Sequence, residues 1–337
     1  MNGRNLLGVL ALVVLGLLAW ELRWVLLVLF GAVVLAVALD VPITLLRRLL
    51  PLNRPSALGL VLLLLLVLSW WLVTLLLPEV LEQLKQFSAL LPRLSERLSS
   101  LVASIPGLQE LEQQLFRGEL INRIQPVGSQ LLGMAGGAAN TSVQVLLIIL
   151  LAVLLALDPR SHQRLLIAAT PRFYRERMQK LLRDCREALG GWLAGMTLSA
   201  AVVFLTTWAG LALLKVPLAL LSGLVCGALT FVPTIGPTAA TLLPLAMALL
   251  VSPAKVLQVL ILRLALQNGE AFLLTPLLLS RTVNLLPTVA LMAQLCLGAL
   301  LGLPGLLLAL PLVVVLQVIG EEVVVRDVMD RWVRPDA

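Results

Sequence analysis

The chain has 337 residues, of which 60% are hydrophobic and 13% charged, and its formal net charge is +7. Soluble domains carry roughly 45–50% apolar and about 25% charged residues, so this composition excludes a soluble globular protein. The basic residues stand in short runs beside apolar segments, which is typical of the cytoplasmic face of a membrane protein and argues against nucleic acid as a partner.

Apolar runs of about 20 residues are the expected membrane-spanning helices, because a helix of that length crosses about 30 Å of hydrocarbon. The sequence predicts an all-α polytopic membrane protein with six such helices, at 5–20, 24–43, 57–77, 139–157, 191–214 and 255–279. Most Lys and Arg residues then fall on one side, which places both termini in the cytoplasm by the positive-inside rule.

Two further apolar segments are interrupted by proline and glycine. Residues 217–251 surround FVPTIGP, and residues 288–319 surround GLPG. Each half is about fifteen residues and rises about 22 Å, which is short for a crossing. We therefore predict two re-entrant helical hairpins, giving about eight membrane segments. Since the crossing at 255–279 separates them, they enter from opposite faces as an inverted repeat.

The predicted domains follow from these elements. They are a frame of the first three spans (1–77), extracytoplasmic amphipathic helices (78–138), a fourth span (139–157), a charged cytoplasmic helical loop (158–190), a transport unit with both hairpins (191–319) and a cytoplasmic tail (320–337).

Four stretches resemble the autoinducer-2 exporter family of bacterial membrane proteins. They are the charged loop at 156–195, KVPLALLSGLVCGALTFVPTIGP, QNGEAFLLTPLLLSRTVNLLP and LLGLPGLLLALPL. The resemblance implies a secondary transporter of the bacterial inner membrane that forms a homo-oligomer, with a pentamer as the suggested number. Family members are linked to export of autoinducer-2 and others to sodium/proton antiport.

The predicted span at 255–279 contains the only charges placed within the hydrocarbon. Arg263, Gln267 and Glu270 are spaced at i, i+4 and i+7, so they share one helix face. Charges in a bilayer are costly and usually face a bundle interior or a water-filled cavity. Either Glu270 is a cation or proton site, or Arg263 neutralises it through Gln267; the sequence leaves both open.

The first proline turn is the predicted substrate site. A broken helix leaves free carbonyls and N–H groups, which a membrane tolerates only beside protein or a water-filled cavity. The candidate contacts are Thr230, Phe231, Pro233, Thr234, Gly236, Pro237 and Thr238, with Asn284 as a weaker one near the second hairpin. The second turn has no side-chain donors, so Gly302, Pro304 and Gly305 are a predicted gate or hinge.

The predicted function is secondary-active export of a small polar metabolite or signal such as autoinducer-2. The alternatives are a sodium/proton antiporter of the same family and a passive channel or membrane scaffold. An enzyme is not expected, since the sequence has neither a zinc-hydrolase nor a P-loop motif and its one histidine, His162, lies in a charged loop. No cofactor is predicted beyond a coupling ion, H⁺ or Na⁺; the expected partners are the lipid bilayer and a small-molecule substrate.

Overall fold

The computed structural model describes residues 14, 16–18, 20–103, 139–232, 235–274 and 286–329, and each element in these ranges is helical. A 3₁₀ turn, Arg172–Tyr174, and two π-helical segments, Glu270–Leu274 and Gly320–Met329, supplement nine α-helices among the described residues. The α-helices are α1 Arg23–Leu49, α2 Arg54–Ala103, α3 Ala139–Leu157, α4 Pro159–Ala168, α5 Arg175–Leu213, α6 Ala219–Leu229, α7 Ile235–Val251, α8 Pro253–Gly269 and α9 Pro287–Ile319. The predicted all-α class is confirmed.

Four helical stretches in the described part are long and apolar enough to cross a membrane. By length and composition they lie in α1, in α2, in the stretch that ends with α5 and in the stretch that begins with α9, which is kinked at Gly302. A fifth crossing is present if α3 and α4, which meet at an angle of 85°, are taken as one broken span. The predicted span at 5–20 lies mostly outside the described residues, and the one at 255–279 ends outside them. The predicted count of eight membrane segments stays a prediction.

The apolar half of α2 shows why the chain needs a bilayer. Leu66, Trp70 and Trp71 are 66%, 71% and 58% exposed, and most of their neighbours are exposed as well. Soluble monomers rarely expose an apolar surface of this extent, whereas lipid solvates it without cost. Two adjacent tryptophans are also typical of the membrane–water interface. This face of α2 is therefore a lipid-facing surface.

The chain divides into two compact units. Unit 1 comprises Met1–Val61, Thr141–Leu193 and Thr282–Ala337, and unit 2 comprises Leu62–Asn140 and Ala194–Arg281. This division places the two predicted hairpins in different units, whereas the sequence groups them in one transport unit. The boundaries predicted from the sequence stay a prediction.

In unit 1 a buried aspartate joins four helices. Arg54 Nη2 donates to Asp40 Oδ1 at 2.6 Å, and Arg54 Nε donates to the carbonyl of Ala156 at 2.8 Å. Arg186 Nη2 donates to the other carboxylate oxygen, Asp40 Oδ2. These contacts connect α1, the start of α2, the end of α3 and α5. They are charge-assisted hydrogen bonds, which are roughly twice as strong as neutral ones.

Unit 2 is built around an apolar cluster from α5, α6, α7 and α8. Its buried members include Leu211, Leu221, Met247 and Val259. A stripe on the carboxyl-terminal half of α2 packs against this cluster, as the predicted amphipathic pattern requires; the stripe is Val80, Leu84, Phe87, Leu90 and Leu94. The sequence predicts a span that ends at 77 and separate amphipathic helices from 78. In the structure α2 continues through Pro78 as a single helix of 50 residues.

The first turn of α6 is capped from α2. The residue before α6, Leu218, has a left-handed backbone with φ of 57° and makes no side-chain cap. The orphan N–H of Leu221 instead donates to Gln83 Oε1 at 2.9 Å, while Gln83 Nε2 donates to Glu79 Oε1 at 2.8 Å. A buried glutamine on one helix thus satisfies the free backbone of another.

We expect Gln83→Leu to destabilise unit 2 by about 1–3 kcal/mol, because it leaves the buried N–H of Leu221 without its acceptor. The measurement is the melting temperature of the detergent-purified protein. Gln86→Leu is the matched control, since Gln86 lies on the exposed face of the same helix. Equal melting temperatures for the two variants would contradict the capping role.

Candidate functional site

The helix break predicted at FVPTIGP separates α6, which ends at Leu229, from α7, which begins at Ile235. The two helices fold back on each other. The thiol of Cys226 donates to the carbonyl of Ala240 at 3.4 Å, and a Cβ on Gly236 would overlap with the carbonyl oxygen of Leu229. Residues seven apart in a continuous helix lie about 10 Å apart along its axis, so this approach shows that the chain reverses between the helices.

Arg263 of α8 binds the start of α7 at this break. It is 2% exposed, and its guanidinium donates to Thr207 Oγ1 at 3.1 Å and to Thr241 Oγ1 at 3.2 Å. A longer contact of 3.4 Å runs to the carbonyl of Pro237, which also accepts a hydrogen bond from Thr241 Oγ1 at 2.8 Å. One guanidinium therefore connects α5, α7 and α8 beside the proline turn.

The hydrogen-bond acceptors of Arg263 among the described residues are all uncharged. All three of its hydrogen bonds there go to neutral oxygens, two hydroxyls and a carbonyl. The Glu270 carboxylate, which the sequence allowed as a partner, is not one of these acceptors. Burying a cation costs several kcal/mol unless polar groups or counter-charges compensate for lost water. A guanidinium held by neutral oxygens can therefore attract electron-rich oxygens on a bound solute.

The other described residues of the turn differ in burial. Thr230 is buried and donates to the carbonyl of Cys226 at 3.0 Å, while Phe231 next to it is half-buried. Gly236 is buried, Pro237 is half-buried and Thr238 is exposed. The turn thus combines a buried hydroxyl that bonds to its own helix with an exposed hydroxyl, Thr238, at the start of α7.

Glu270 lies where α8 ends and the π-helical segment begins. Ser199 Oγ of α5 donates to Glu270 Oε1 at 2.7 Å, and both Glu270 and Gln267 are half-buried. From the helical rise, Glu270 lies about 10 Å from Arg263 along the helix. Single-turn π segments inside helices are frequent at functional sites, because they redirect side chains. The predicted face therefore carries two polar clusters, one at Arg263 and one at Glu270.

The second predicted turn interrupts α9 at Gly302, whose φ of 65° and ψ of −149° are essentially accessible only to glycine. A Cβ on Gly305 would overlap with the carbonyl oxygen of Leu297. Gly302 and Pro304 are exposed and Gly305 is buried. GLPG thus forms a kink that brings the two halves of α9 into close contact at Gly305 and Leu297.

Some predicted residues cannot be placed, and others were missed. Pro233, Thr234 and Asn284 lie outside the described residues. The sequence pattern did not indicate Ser199, Thr207 or Thr241, which are the hydroxyl partners of Glu270 and Arg263. A search for hydroxyl residues within the apolar segments that flank a membrane-embedded charge would have found them.

The chain matches the family model described as "AI-2E family transporter" over residues 7–324. This match covers nearly the whole sequence, including both broken helices and α8. The chain belongs to the AI-2E transporter family. This family is a family of transporters. The several apolar helices of the chain are those of a multi-pass membrane protein.

Individual relatives support the same assignment. This AI-2E family member is 31% identical over 149 residues to YrrI of Bacillus subtilis (strain 168), covering 44% of the chain and 42% of YrrI. It is 24% identical over 210 residues to YueF of the same organism, covering 62% of the chain and 57% of YueF. MT0215 of Mycobacterium tuberculosis (strain CDC 1551 / Oshkosh) is 31% identical over 212 residues, covering 58% of the chain and 57% of MT0215.

All three relatives are named as candidate transport proteins. The aligned regions span about half the length of these relatives. The similarity therefore supports a transport function for this protein in general terms.

Proposed function

We propose that the protein is a secondary-active transporter that exports a small polar metabolite or signal such as autoinducer-2. The observation that carries this proposal is the buried Arg263 at a helix break in unit 2. Its guanidinium, the hydroxyls of Thr207 and Thr241 and the backbone of the proline turn present hydrogen-bonding groups inside an apolar unit. A small, largely uncharged solute with several oxygens fits this combination of donors and acceptors.

The test is efflux of autoinducer-2 from proteoliposomes that contain the purified protein, with and without imposed proton and sodium gradients. A transporter of this kind gives a saturable rate that exceeds the rate of protein-free vesicles. A linear dependence of rate on concentration, equal to that of protein-free vesicles, would overturn the proposal. Small polar solutes of unrelated shape serve as specificity controls.

A sodium/proton antiporter is the second candidate, and the Ser199–Glu270 hydrogen bond favours it. A carboxylate held at 2.7 Å from a hydroxyl on a second helix provides oxygen ligands of the kind that Na⁺ uses and a group that can carry a proton. Ionisable residues within membrane segments commonly mark ion pathways. In an antiporter Glu270 is the site that Na⁺ and H⁺ occupy in turn, whereas in the exporter proposed above it is the coupling site and the Arg263 cluster is the solute site.

We expect Glu270→Gln to abolish the response of flux to imposed proton or sodium gradients. The glutamine oxygen can still accept the hydrogen bond of Ser199, so the local geometry persists while the charge and the titratable proton are lost. The measurement compares gradient-driven with gradient-free flux in proteoliposomes. Glu82→Gln, on the exposed face of α2, is the matched control. Gradient-dependent flux equal to wild type would exclude Glu270 as the coupling site.

The finer architecture is part of the same proposal. The reversal after α6 and the kink within α9 support two hairpins, and we propose that both are re-entrant and enter from opposite faces, within a transport unit at 191–319. The remaining proposals are a location in the bacterial inner membrane, cytoplasmic termini and assembly as a homo-oligomer, with a pentamer suggested by the family.

A further inference from the structure

A cavity of about 860 Å³ lies inside unit 1. Its walls come from α1, the start of α2, α3, α4, α5 and the end of α9, and none of its lining residues belongs to the Arg263 cluster. Small-molecule sites usually measure about 300–1,000 Å³, and this cavity lies within that range. Most of its lining is apolar, as at Phe30, Val37, Leu181 and Val315. This lining is complementary to an occupant that is largely hydrocarbon.

The charged part of the lining has an excess of positive charge. It consists of Asp40, Arg54 and Arg186, the cluster that joins the helices of unit 1. One carboxylate is shared by two guanidiniums, which leaves a formal charge of +1 on the cluster. The Arg186 side chain is 37% exposed, so it retains donors that a ligand can reach. An anionic group complements this cluster, and phosphate suits the fork of arginine donors.

The helix α4 forms one wall and has the character of an interfacial helix. It bends away from α3 by 85°, with Asp158 capping its amino terminus at the bend. Pro159, His162, Gln163 and Leu166 line the cavity at helical spacing. Beyond the helix, Phe173 is 88% exposed between basic residues. An amphipathic helix with arginines and exposed apolar side chains is typical of the level of the lipid headgroups.

We propose that this cavity binds an anionic glycerophospholipid, with an acyl chain against the apolar walls and its phosphate at Arg186 and Arg54. The mostly apolar lining, the net positive cluster and the interfacial helix α4 occur together at one place. A soluble polar solute would leave the apolar wall unsatisfied, and a zwitterionic lipid such as phosphatidylcholine would bring a quaternary ammonium group to a cluster that is already positive. Basic cavities between membrane helices on the cytoplasmic side are suited to anionic headgroups.

The experiment counts lipids bound to the full-length protein by native mass spectrometry after purification in detergent. Phosphatidylglycerol and phosphatidylcholine with identical acyl chains are added separately at equal concentrations. Arg186→Gln is the test variant, because it leaves the Asp40–Arg54 pair intact. Arg183→Gln is the matched control, since it removes the same charge one turn earlier on α5, from an exposed residue outside the cavity lining.

We expect wild type and Arg183→Gln to bind more phosphatidylglycerol than phosphatidylcholine. In Arg186→Gln the ratio of bound phosphatidylglycerol to bound phosphatidylcholine is expected to fall by roughly tenfold, as the loss of one charged hydrogen bond implies. Val33→Phe, which adds volume at the cavity wall, is expected to reduce binding of both lipids. Equal binding of both lipids to wild type, or equal preference in Arg183→Gln and Arg186→Gln, would overturn the proposal. Displacement of the lipid by millimolar inorganic phosphate or by autoinducer-2 would also overturn it, in favour of a soluble ligand.

Discussion

Replacing Arg263 by methionine is expected to leave the protein folded but to lower solute flux by at least about tenfold, the effect of losing one charged hydrogen bond to the solute. Well-packed apolar residues that replace buried charges are often neutral or stabilising. Two of the groups left behind retain a partner, because Thr241 already donates to the carbonyl of Pro237. Folding is measured by melting temperature and size-exclusion profile, and flux is measured in proteoliposomes.

The control for this variant is Lys255→Met, which removes a positive charge from the amino-terminal end of the same helix. It is expected to keep both stability and flux. If Arg263→Met aggregates while Lys255→Met does not, the arginine holds unit 2 together instead of binding solute. If Arg263→Met transports at the wild-type rate, the cluster is not the solute site.

Gly236→Ala is expected to prevent the α6–α7 hairpin from closing. The added Cβ would overlap with the carbonyl oxygen of Leu229, which is backbone and cannot rotate away as a side chain does. Overpacking of this kind typically costs about 1–3 kcal/mol and more where the neighbour cannot move, so we expect a loss of about 3 kcal/mol or more. Melting temperature and flux of the purified protein are both expected to fall.

Gly269→Ala provides the matched control in unit 2, because a Cβ at that position meets no atom within 4 Å. In unit 1 the same comparison is available between Gly305→Ala, which overlaps with the carbonyl of Leu297, and Gly298→Ala, whose nearest contact is a side chain at 3.6 Å. If Gly236→Ala is as stable as Gly269→Ala, the tight reversal between α6 and α7 does not occur.

The helices of this protein could be predicted well because apolar length and proline position are local properties. The predicted stretch 139–157 coincides with α3, and the broken segment 217–251 contains α6 and α7. Pro78 was less informative. It marks the change from an apolar to an amphipathic surface, but α2 continues through it as one helix, and the Val80 to Leu94 stripe beyond it packs against the apolar cluster of unit 2.

The polar contacts could be predicted only in part, because a sequence shows which residues share a helix face but not which other helix they meet. Spacing identified Arg263 and Glu270 as members of one face. It could not show that Thr207 and Thr241 bind the first and Ser199 the second, since these partners lie on other helices. The sequence around Asp40 likewise does not show that its carboxylate binds arginines 14 and 146 positions away.

Counterflow of autoinducer-2 tests transport by this protein most directly. Proteoliposomes are loaded with unlabelled autoinducer-2, diluted into a small amount of labelled compound, and sampled over time. A transporter that alternates access to one saturable site accumulates label transiently above its equilibrium level, because unlabelled solute competes for the inner-facing site. We predict this overshoot for wild type and its loss in Arg263→Met. A monotonic approach to equilibrium in wild type, as through a channel, or no entry above that of protein-free vesicles, would contradict this prediction.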